Sequence, residues 1–432
     1  MPAEKLIDFI KKSPSVFHVI NNFADMLKEA DFCELHENEK WNVAKGGRYF
    51  VRRNNSAIIA FCIPEDDISN YLVIAGHSDS PCFKIKPDCG IVAENKYLML
   101  NTEKYGGMIM STWLDRPLSY AGRVLVKSEK GIETKYVDSK KMSLIIPNLA
   151  IHMDRTINEG YKYSAQTDML PLFAMDSDKK AFYRQLAGLC GVENDKILSY
   201  DLFLYNTEEG RIWGNNGEFI SSPRLDDIEC AYAAINALIG SSNKKSICMA
   251  CVFDNEEVGS SSAAGADSDF LESVIARLSD VLSLDRDDVG RILAGSFMVS
   301  ADNAHAVHPN HPQKADPTNR PYLNGGVVIK ENSAKKYTTD AVSAAVFKMI
   351  CEQAGVPVQT YVNNSDIAGG MTLGNILSNH ISMDSADIGL AQLAMHSSYE
   401  TAGTRDYEYL EKVFEKFYSV NLKKCVDGSI TI

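Results

Sequence analysis

Three stretches of the chain are apolar almost without interruption. They are "YLVIAG" (71–76), "SICMACVF" (246–253) and "GSFMVSA" (295–301). Continuous apolar runs of this length are typical of strands that helices cover on both faces, whereas strands with one solvent face alternate apolar and polar residues. The pattern therefore predicts a sheet that is buried between two helical layers.

The segments between these runs have the apolar period of helices, as in 224–240, 268–282 and 341–355. One face of the first segment carries Ile228, Tyr232, Ile235 and Leu238, and Gly240 suits its C-terminal cap. The first 22 residues lack the apolar region of a secretion signal, and they predict two helices separated by a turn at Pro14. Alternating strands and helices predict an α/β sandwich.

The chain between residues 87 and 218 has a different pattern. Short alternating segments such as "KYLMLNTEK" and "GRVLVKSEKG" predict strands, and helical periods are scarce before about residue 178. We therefore expect a discontinuous α/β domain built from residues 1–86 and 219–432. Residues 87–218 form an inserted β-rich domain in this prediction.

Composition and charge narrow the class of protein. The 432 residues are 45% apolar and 23% charged, as in ordinary globular proteins, and the formal net charge is −13. A negative surface disfavours nucleic acid and anionic membranes as partners. Without an apolar span or a signal segment, we expect a cytoplasmic protein. Cys248 and Cys251 would point to opposite faces of a strand, which makes them buried apolar residues rather than a redox pair.

Polar residues follow each of the three apolar runs. They are His77 and Asp79 after the first run, Asp254, Glu256 and Glu257 after the second, and Asp302 after the third. Each has an ordinary explanation alone, such as a turn histidine or a helix-capping aspartate. Ligands of open α/β sheets bind at the carboxyl ends of the strands, where these residues would meet. Their convergence favours a metal site.

Imidazole and carboxylate are zinc ligands. In extended backbone His77 and Asp79 point to the same face, so Asp79 can accept a hydrogen bond from the second ring nitrogen of His77. Adjacent glutamates in extended backbone point opposite ways, so one of Glu256 and Glu257 can bind metal while the other faces water. The residues alone do not decide whether Asp226 binds metal, because the start of a helix favours an aspartate in any case.

A second set of histidines has the spacing of a zinc cluster. His305, His308 and His311 are interrupted by Pro309 and Pro312, which exclude a regular helix with all three on one face. We therefore do not expect a three-histidine zinc site. Contact of one of them, such as His308, with a substrate stays open.

Five segments in order resemble the signature segments of the M18 metallopeptidases, the aspartyl aminopeptidases. They are "GHSDSP", "SSPRLDD", "DNEEVGSSS", "SADNAHAVHPN" and "QLAMHS". "WLDRPLSYAGRV" and "IPNLAIHMDRTINE" resemble further hallmarks inside the insertion. The resemblance implies a zinc-exopeptidase-like α/β/α sandwich whose inserted β-rich domain makes dimer contacts. It also implies a tetrahedral dodecamer built from dimers.

The same resemblance implies a site with two zinc ions, for which Co²⁺ or Mn²⁺ can substitute. The implied ligands are His77 and Asp302 for one ion, Glu257 and His396 for the other, and Asp226 as a bridge between them. Glu256 would be the general base and Asp79 the hydrogen-bonding partner of His77. Without the resemblance His396 would not stand out, because "LAMHSS" has no distinctive pattern.

Two further residues are implied near the substrate. His152 of the insertion would reach the site of a neighbouring subunit, and Lys330 would lie near the substrate side chain. One departure is Asp227, where many relatives carry asparagine. It does not alter the ligand set.

The expected function is release of N-terminal residues from peptides, with a preference for aspartate and glutamate. A neutral or hydrophobic preference is the first alternative, and a related two-zinc exopeptidase or deacylase is the second. A non-catalytic assembly or cargo protein on the same scaffold is the third alternative. A Glu256 base argues against it, because structural zinc sites are closed and need no base.

Overall fold

The computed structural model describes residues 2–432. Its α-helices within this range are α1 Pro2–Lys12, α2 Val16–Glu29, α3 Ala181–Cys190, α4 Leu225–Gly240, α5 Phe270–Val281, α6 Arg286–Ala294, α7 Ala341–Ala354, α8 Leu373–His380 and α9 Thr404–Ser419. Single 3₁₀ turns lie at Met110–Trp113, Ile157–Glu159, Asn194–Lys196, Glu256–Val258 and Pro312–Lys314.

The strands, in chain order, are β1 Cys33–Leu35, β2 Arg48–Arg53, β3 Ala57–Cys62, β4 Asn70–His77, β5 Cys82–Ala93, β6 Tyr97–Tyr105, β7 Leu118–Ser128, β8 Gly131–Asp138, β9 Leu172–Ala174, β10 Ile197–Asn206, β11 Arg211–Trp213, β12 Phe219–Ser222, β13 Ser246–Phe253, β14 Phe297–Ala301, β15 Ala304–His305, β16 Val327–Glu331, β17 Val358–Val362, β18 Asp384–Gly389, β19 Ala391–Leu393, β20 Glu400–Gly403, β21 Lys423–Lys424 and β22 Ile430–Thr431.

A nine-stranded sheet forms the centre of the molecule, in the order β1-β2-β3-β13-β4-β14-β18-β16-β17. Its middle strands β13, β4, β14 and β18 are parallel neighbours. Every residue of β4 and β13 is buried, as the uninterrupted apolar runs predicted. The carboxyl ends of these strands consequently meet at one edge of the sheet.

Two hydrophobic cores cover the faces of this sheet. Residues of α1, α2, α4, α7 and α9 pack on one face, and residues of α5, α6 and α8 pack on the other. Cys248 lies in the first core and Cys251 in the second, which confirms their prediction as buried apolar residues on opposite faces. The architecture is the predicted α/β/α sandwich.

A second, antiparallel sheet of six strands has the order β8-β7-β10-β5-β6-β9. Its core contains Phe83, Tyr120 and Leu202 from the strands and Phe182 and Leu186 from α3. Strand β5 begins before residue 87 and lies wholly in this sheet. The proposed domain boundaries stay a prediction.

The chain crosses between the two large sheets close to residues of interest. It leaves the nine-stranded sheet at His77 and enters the six-stranded sheet at Cys82. It returns through β11 and β12, which belong to a five-stranded sheet of order β11-β12-β20-β19-β15, and α4 begins at Leu225.

Several local expectations need correction. His77 is the last residue of β4 rather than the first residue after it, and β14 begins at Phe297 rather than at residue 295. Gly240 is the last residue of α4, and Ser241 is its C-cap. No helix between residues 2 and 432 is long and apolar enough to cross a membrane.

Candidate metal centre

The strand ends bring distant parts of the chain together. His77 pairs in register with Phe253, the last residue of β13, and β14 lies on the other side of β4. The segment that contains Glu256 and Glu257 follows β13 directly, and Asp302 follows β14. Because the three strands are parallel, their following residues surround one space at the edge of the sheet.

The two ring nitrogens of His77 face different carboxylates. Its Nδ1 lies 3.1 Å from the backbone oxygen of Asp79 and 3.3 Å from Oδ1 of Asp79. Its Nε2 lies 3.6 Å from Oδ1 of Asp226. The expected contact with Asp79 is therefore present, and the backbone carbonyl shares it. An Nδ1–H held in this way leaves Nε2 as the lone-pair nitrogen that can bind metal.

The Asp79 carboxylate also organises the turn after β13. It accepts hydrogen bonds from the backbone N–H groups of Glu256 and Glu257, both at 3.2 Å, and from Tyr105 Oη at 2.6 Å. The two glutamates lie in a 3₁₀ turn that follows Asn255, whose φ is +61°. The expectation of extended backbone there was wrong, because the chain turns immediately after the strand.

His396 lies on the loop after β19. Its Nε2 lies 3.6 Å from Oδ2 of Asp226 and 3.4 Å from Oε2 of Glu257. Its Nδ1 lies 3.0 Å from the backbone oxygen of Gly107. The Asp226 carboxylate thus has one oxygen beside each histidine.

Three overlapping groups of side chains place their donor atoms within 4.8 Å of one another. They are His77 with Asp226, Asp227 and Asp302; His77 with Glu256 and Glu257; and Asp226 with Glu257 and His396. All five predicted ligands occur in these groups. Asp254 is buried nearby but occurs in none of them among the described residues.

The donor set fits divalent cations. Oδ1 of Asp226, Oδ1 of Asp227 and Oε1 of Glu257 are buried and accept no hydrogen bond from the described residues. Buried carboxylate oxygens without partners are costly unless a cation neutralises them. Imidazole nitrogens together with carboxylate oxygens are the ligands that catalytic zinc uses.

The electrostatics of the cluster also favour added positive charge. Burial is the largest cause that raises the pKa of Glu256 to about 8, and neighbouring carboxylates such as Asp302 add to it. Burial likewise raises the pKa of Glu257 and of Asp302. Burial opposes protonation of His77, but the neighbouring carboxylates of Asp226 and Asp79 outweigh this and raise its pKa. Crowded acids that hold protons in this way exchange them for a metal ion.

Asp227 and Lys330 contact residues of the cluster. Asp227 Oδ2 accepts a hydrogen bond from the backbone N–H of His77 at 3.1 Å, so the extra carboxylate makes a contact beside the ligands. Lys330 is buried. Its Nζ donates to the backbone oxygens of Asp302 and Asn303 and lies 3.5 Å from Oδ2 of Asp302.

The remaining predicted residues, His152 and His308, do not belong to these groups of side chains. His152 is exposed in the loop between β8 and β9. His308 is also exposed, and it lines a cavity of about 450 Å³ together with His305, His311 and Leu393. Among the described residues, none of these four histidines belongs to a group that could hold a metal ion.

Sequence reasoning missed Glu400. Its buried carboxylate accepts from the backbone N–H of His396 at 2.8 Å and from that of Asp226 at 3.1 Å. The segment "SSYETAG" carries no pattern that would mark this residue. Only the folded chain shows that one side chain connects two candidate ligands.

An α/β/α sandwich with imidazoles and carboxylates at its strand ends is the framework of a metal-dependent hydrolase. The family model described as "Aminopeptidase I zinc metalloprotease (M18)" matches residues 9–418. The chain therefore belongs to the M18 family of zinc aminopeptidases.

Individual relatives agree with this membership. A "Probable M18 family aminopeptidase 2" of Clostridium acetobutylicum is 47% identical over 426 residues, which cover 97% of this chain and 98% of the relative. The solved structure "Cryo-EM structure of the Ape4 and Nbr1 complex" is 34% identical with a TM-score of 0.93, covering 96% of this chain and 85% of that one. The S. cerevisiae mApe1 dodecamer is 29% identical with a TM-score of 0.84, covering 96% of each chain.

Proposed function

We propose that this zinc aminopeptidase uses two zinc ions held by His77, Asp226, Glu257, Asp302 and His396. The observation that carries the proposal is the position of Asp226, whose two carboxylate oxygens each lie 3.6 Å from a different histidine Nε2. His77 and Asp302 would bind one ion, and Glu257 and His396 the other. Co²⁺ and Mn²⁺ suit the same donors.

Bound zinc would supply positive charge that polarises the scissile carbonyl and lowers the pKa of water. Glu256 would take a proton from the attacking water on its carboxylate and later donate it to the leaving amine. Its backbone N–H is held by Asp79, which fixes the position of the turn. Asp79 would also hold His77 in the tautomer that presents Nε2.

The test is the variant Glu256→Gln, which keeps the shape of the side chain but removes the base. We expect zinc content equal to that of the unchanged protein and hydrolysis of aminoacyl substrates slower by at least about a hundredfold. Glu272→Gln in α5 is a matched control on an exposed helical site, and it should keep full activity. Near-normal turnover in Glu256→Gln would remove Glu256 from the mechanism.

We also propose a preference for peptides that begin with aspartate or glutamate. Support comes from Lys330, a buried ammonium 3.5 Å from Asp302 Oδ2. Two backbone carbonyls already accept hydrogen bonds from this ammonium, an observation that favours the alternative of neutral or hydrophobic first residues. Comparing the hydrolysis of Asp- and Leu-peptides by Lys330→Met decides between the acidic preference and the neutral or hydrophobic one. An unchanged Asp/Leu ratio would show that Lys330 does not select the substrate.

The proposed assembly is a homo-oligomer, and specifically a dodecamer built from dimers through residues 87–218. Support comes from apolar side chains that flank His152 in the exposed loop: Leu149 is 50% exposed, Ile151 45% and Met153 75%. The structural neighbour from S. cerevisiae is a dodecamer. Light scattering should give the mass of twelve chains, and a monomeric mass that keeps full activity would contradict a site completed by His152 of a neighbour.

A further inference from the structure

A short segment at the exit of the six-stranded sheet touches both halves of the candidate metal centre. It comprises residues 105–109, between the end of β6 and the 3₁₀ turn that starts at Met110. None of its residues supplies a metal-binding side chain. Three of them nevertheless make hydrogen bonds that reach both histidines, directly or through one intermediate.

The contact with the first histidine goes through Tyr105. Its Oη donates to Oδ2 of Asp79 at 2.6 Å and accepts from Nδ2 of Asn255 at 2.8 Å. Burial raises the pKa of Tyr105, so the phenol stays protonated and remains a donor. With Oδ2 held in this way, Oδ1 of Asp79 is the oxygen that lies 3.3 Å from Nδ1 of His77.

The contact with the second histidine is direct and made by backbone atoms. The carbonyl oxygen of Gly107 lies 3.0 Å from Nδ1 of His396, and the N–H of Ile109 donates to the carbonyl oxygen of His396 at 3.0 Å. The ring of His396 is thereby oriented with its Nδ1–H toward Gly107. Its Nε2 is left facing Asp226 and Glu257.

Gly106 brings the segment close to a third candidate ligand. Its φ is +79°, and a Cβ at this position would lie 3.2 Å from Cβ and 3.3 Å from the backbone oxygen of Glu257. Only glycine adopts this conformation without strain and leaves room for Glu257. The segment therefore fits against the turn of Glu257 as well as against His396.

We propose that residues 105–109 are a positioning element of the six-stranded sheet that presets the tautomer and orientation of both metal-binding histidines. This inference rests on the proposed two-zinc centre. Hydrogen bonds to the second nitrogen of a ligating histidine fix the ring and raise its basicity, and their loss typically weakens metal binding by about 10- to 100-fold. The six-stranded sheet thus contributes to metal affinity although it provides no ligand.

Two variants separate the two halves of the prediction. Tyr105→Phe removes the hydrogen-bond donor to Asp79. It should lower the affinity for the zinc ion beside His77 by about tenfold. Gly106→Ala pushes the segment away from Glu257. It should lower the affinity for the zinc ion beside His396 by a similar factor. Tyr97→Phe is the matched control, because Tyr97 lies at the exposed start of the same strand and should leave both affinities unchanged.

The measurement is the zinc dissociation constant of each ion by competition with a chromogenic chelator, using the full chain. Thermal unfolding of the metal-free proteins checks that the fold is retained. In Tyr105→Phe we also expect kcat to fall with little change in KM at limiting zinc, and to recover when zinc is added. A merely structural role would not produce recovery by metal.

The outcomes distinguish this inference from the function on which it rests. If the unchanged protein binds no zinc, the proposed metal centre itself fails. If it binds two ions and Tyr105→Phe binds both as tightly, the positioning role is refuted. Loss of activity in Tyr105→Phe that added zinc does not restore would refute it equally. If Gly106→Ala does not fold, Tyr105→Phe against Tyr97→Phe decides the question.

Discussion

Glu400 offers a test of how the candidate centre is held together. Its two carboxylate oxygens accept from the backbone N–H groups of His396 and Asp226, which come from different elements. Glu400→Gln keeps one oxygen and replaces the other by an amide nitrogen. That nitrogen cannot accept a hydrogen bond, so one buried backbone N–H is left without its partner.

The magnitude follows from the kind of hydrogen bond that is lost. Leaving a buried donor without its hydrogen-bond partner costs about 1–3 kcal/mol. If the whole loss falls on the metal-bound arrangement, zinc affinity decreases between about fivefold and about a hundredfold, because 1.4 kcal/mol corresponds to a factor of ten. In the proposed two-zinc centre the loss would be divided between the two ions, since Asp226 lies beside both histidines.

The assay is zinc competition at pH 7 combined with thermal unfolding at saturating zinc. Glu411→Gln is the control, because Glu411 is a half-buried glutamate of α9 whose carboxylate accepts a hydrogen bond from Tyr407 Oη at 3.1 Å. We expect its zinc affinity to stay unchanged. Zinc affinity within twofold of the unchanged protein in Glu400→Gln would refute the idea that Glu400 supports the centre.

Three other predictions concern stability. Chelation of zinc should lower the unfolding temperature and abolish peptide hydrolysis, because carboxylates without a metal ion between them repel one another. Readdition of zinc should restore both properties. An unchanged unfolding temperature would argue against the cluster as a metal site. Phe182→Ala in the core of the six-stranded sheet should cost about 3–5 kcal/mol in chemical denaturation, whereas Tyr97→Phe at an exposed position of the same sheet should cost under about 1 kcal/mol. Burial raises the pKa of Asp406 to about 7, so the folded protein holds this proton more tightly than the unfolded chain. The free energy of unfolding should decrease as pH rises from about 4 to about 7, and Asp406→Asn should make that decrease smaller.

The sequence predicted the architecture well because apolar runs report burial directly. Both β4 and β13 are buried along their whole length, and alternate residues of β13 enter two different cores. The ends of these strands predicted His77, Glu256, Glu257 and Asp302 as neighbours for the same reason. Parallel strands bring their carboxyl ends together whatever lies between them in the chain.

Contacts that depend on loops were not predictable in this way. His396 was found only through a family resemblance, and Glu400 and Tyr105 were not found at all. Each acts through a partner that is distant in sequence, and no periodicity encodes such pairs. The conformation of the Glu256–Glu257 turn was predicted incorrectly because a single left-handed residue, Asn255, redirects the chain.

The two crossings of the chain between the large sheets constrain how this protein can be altered. The outward crossing begins at His77, and the return ends within a few residues of Asp226. Excising the six-stranded sheet and rejoining the cut ends would therefore require a new linker anchored at two candidate ligands. Replacing or shortening that part of the molecule should therefore disturb two candidate ligands at once.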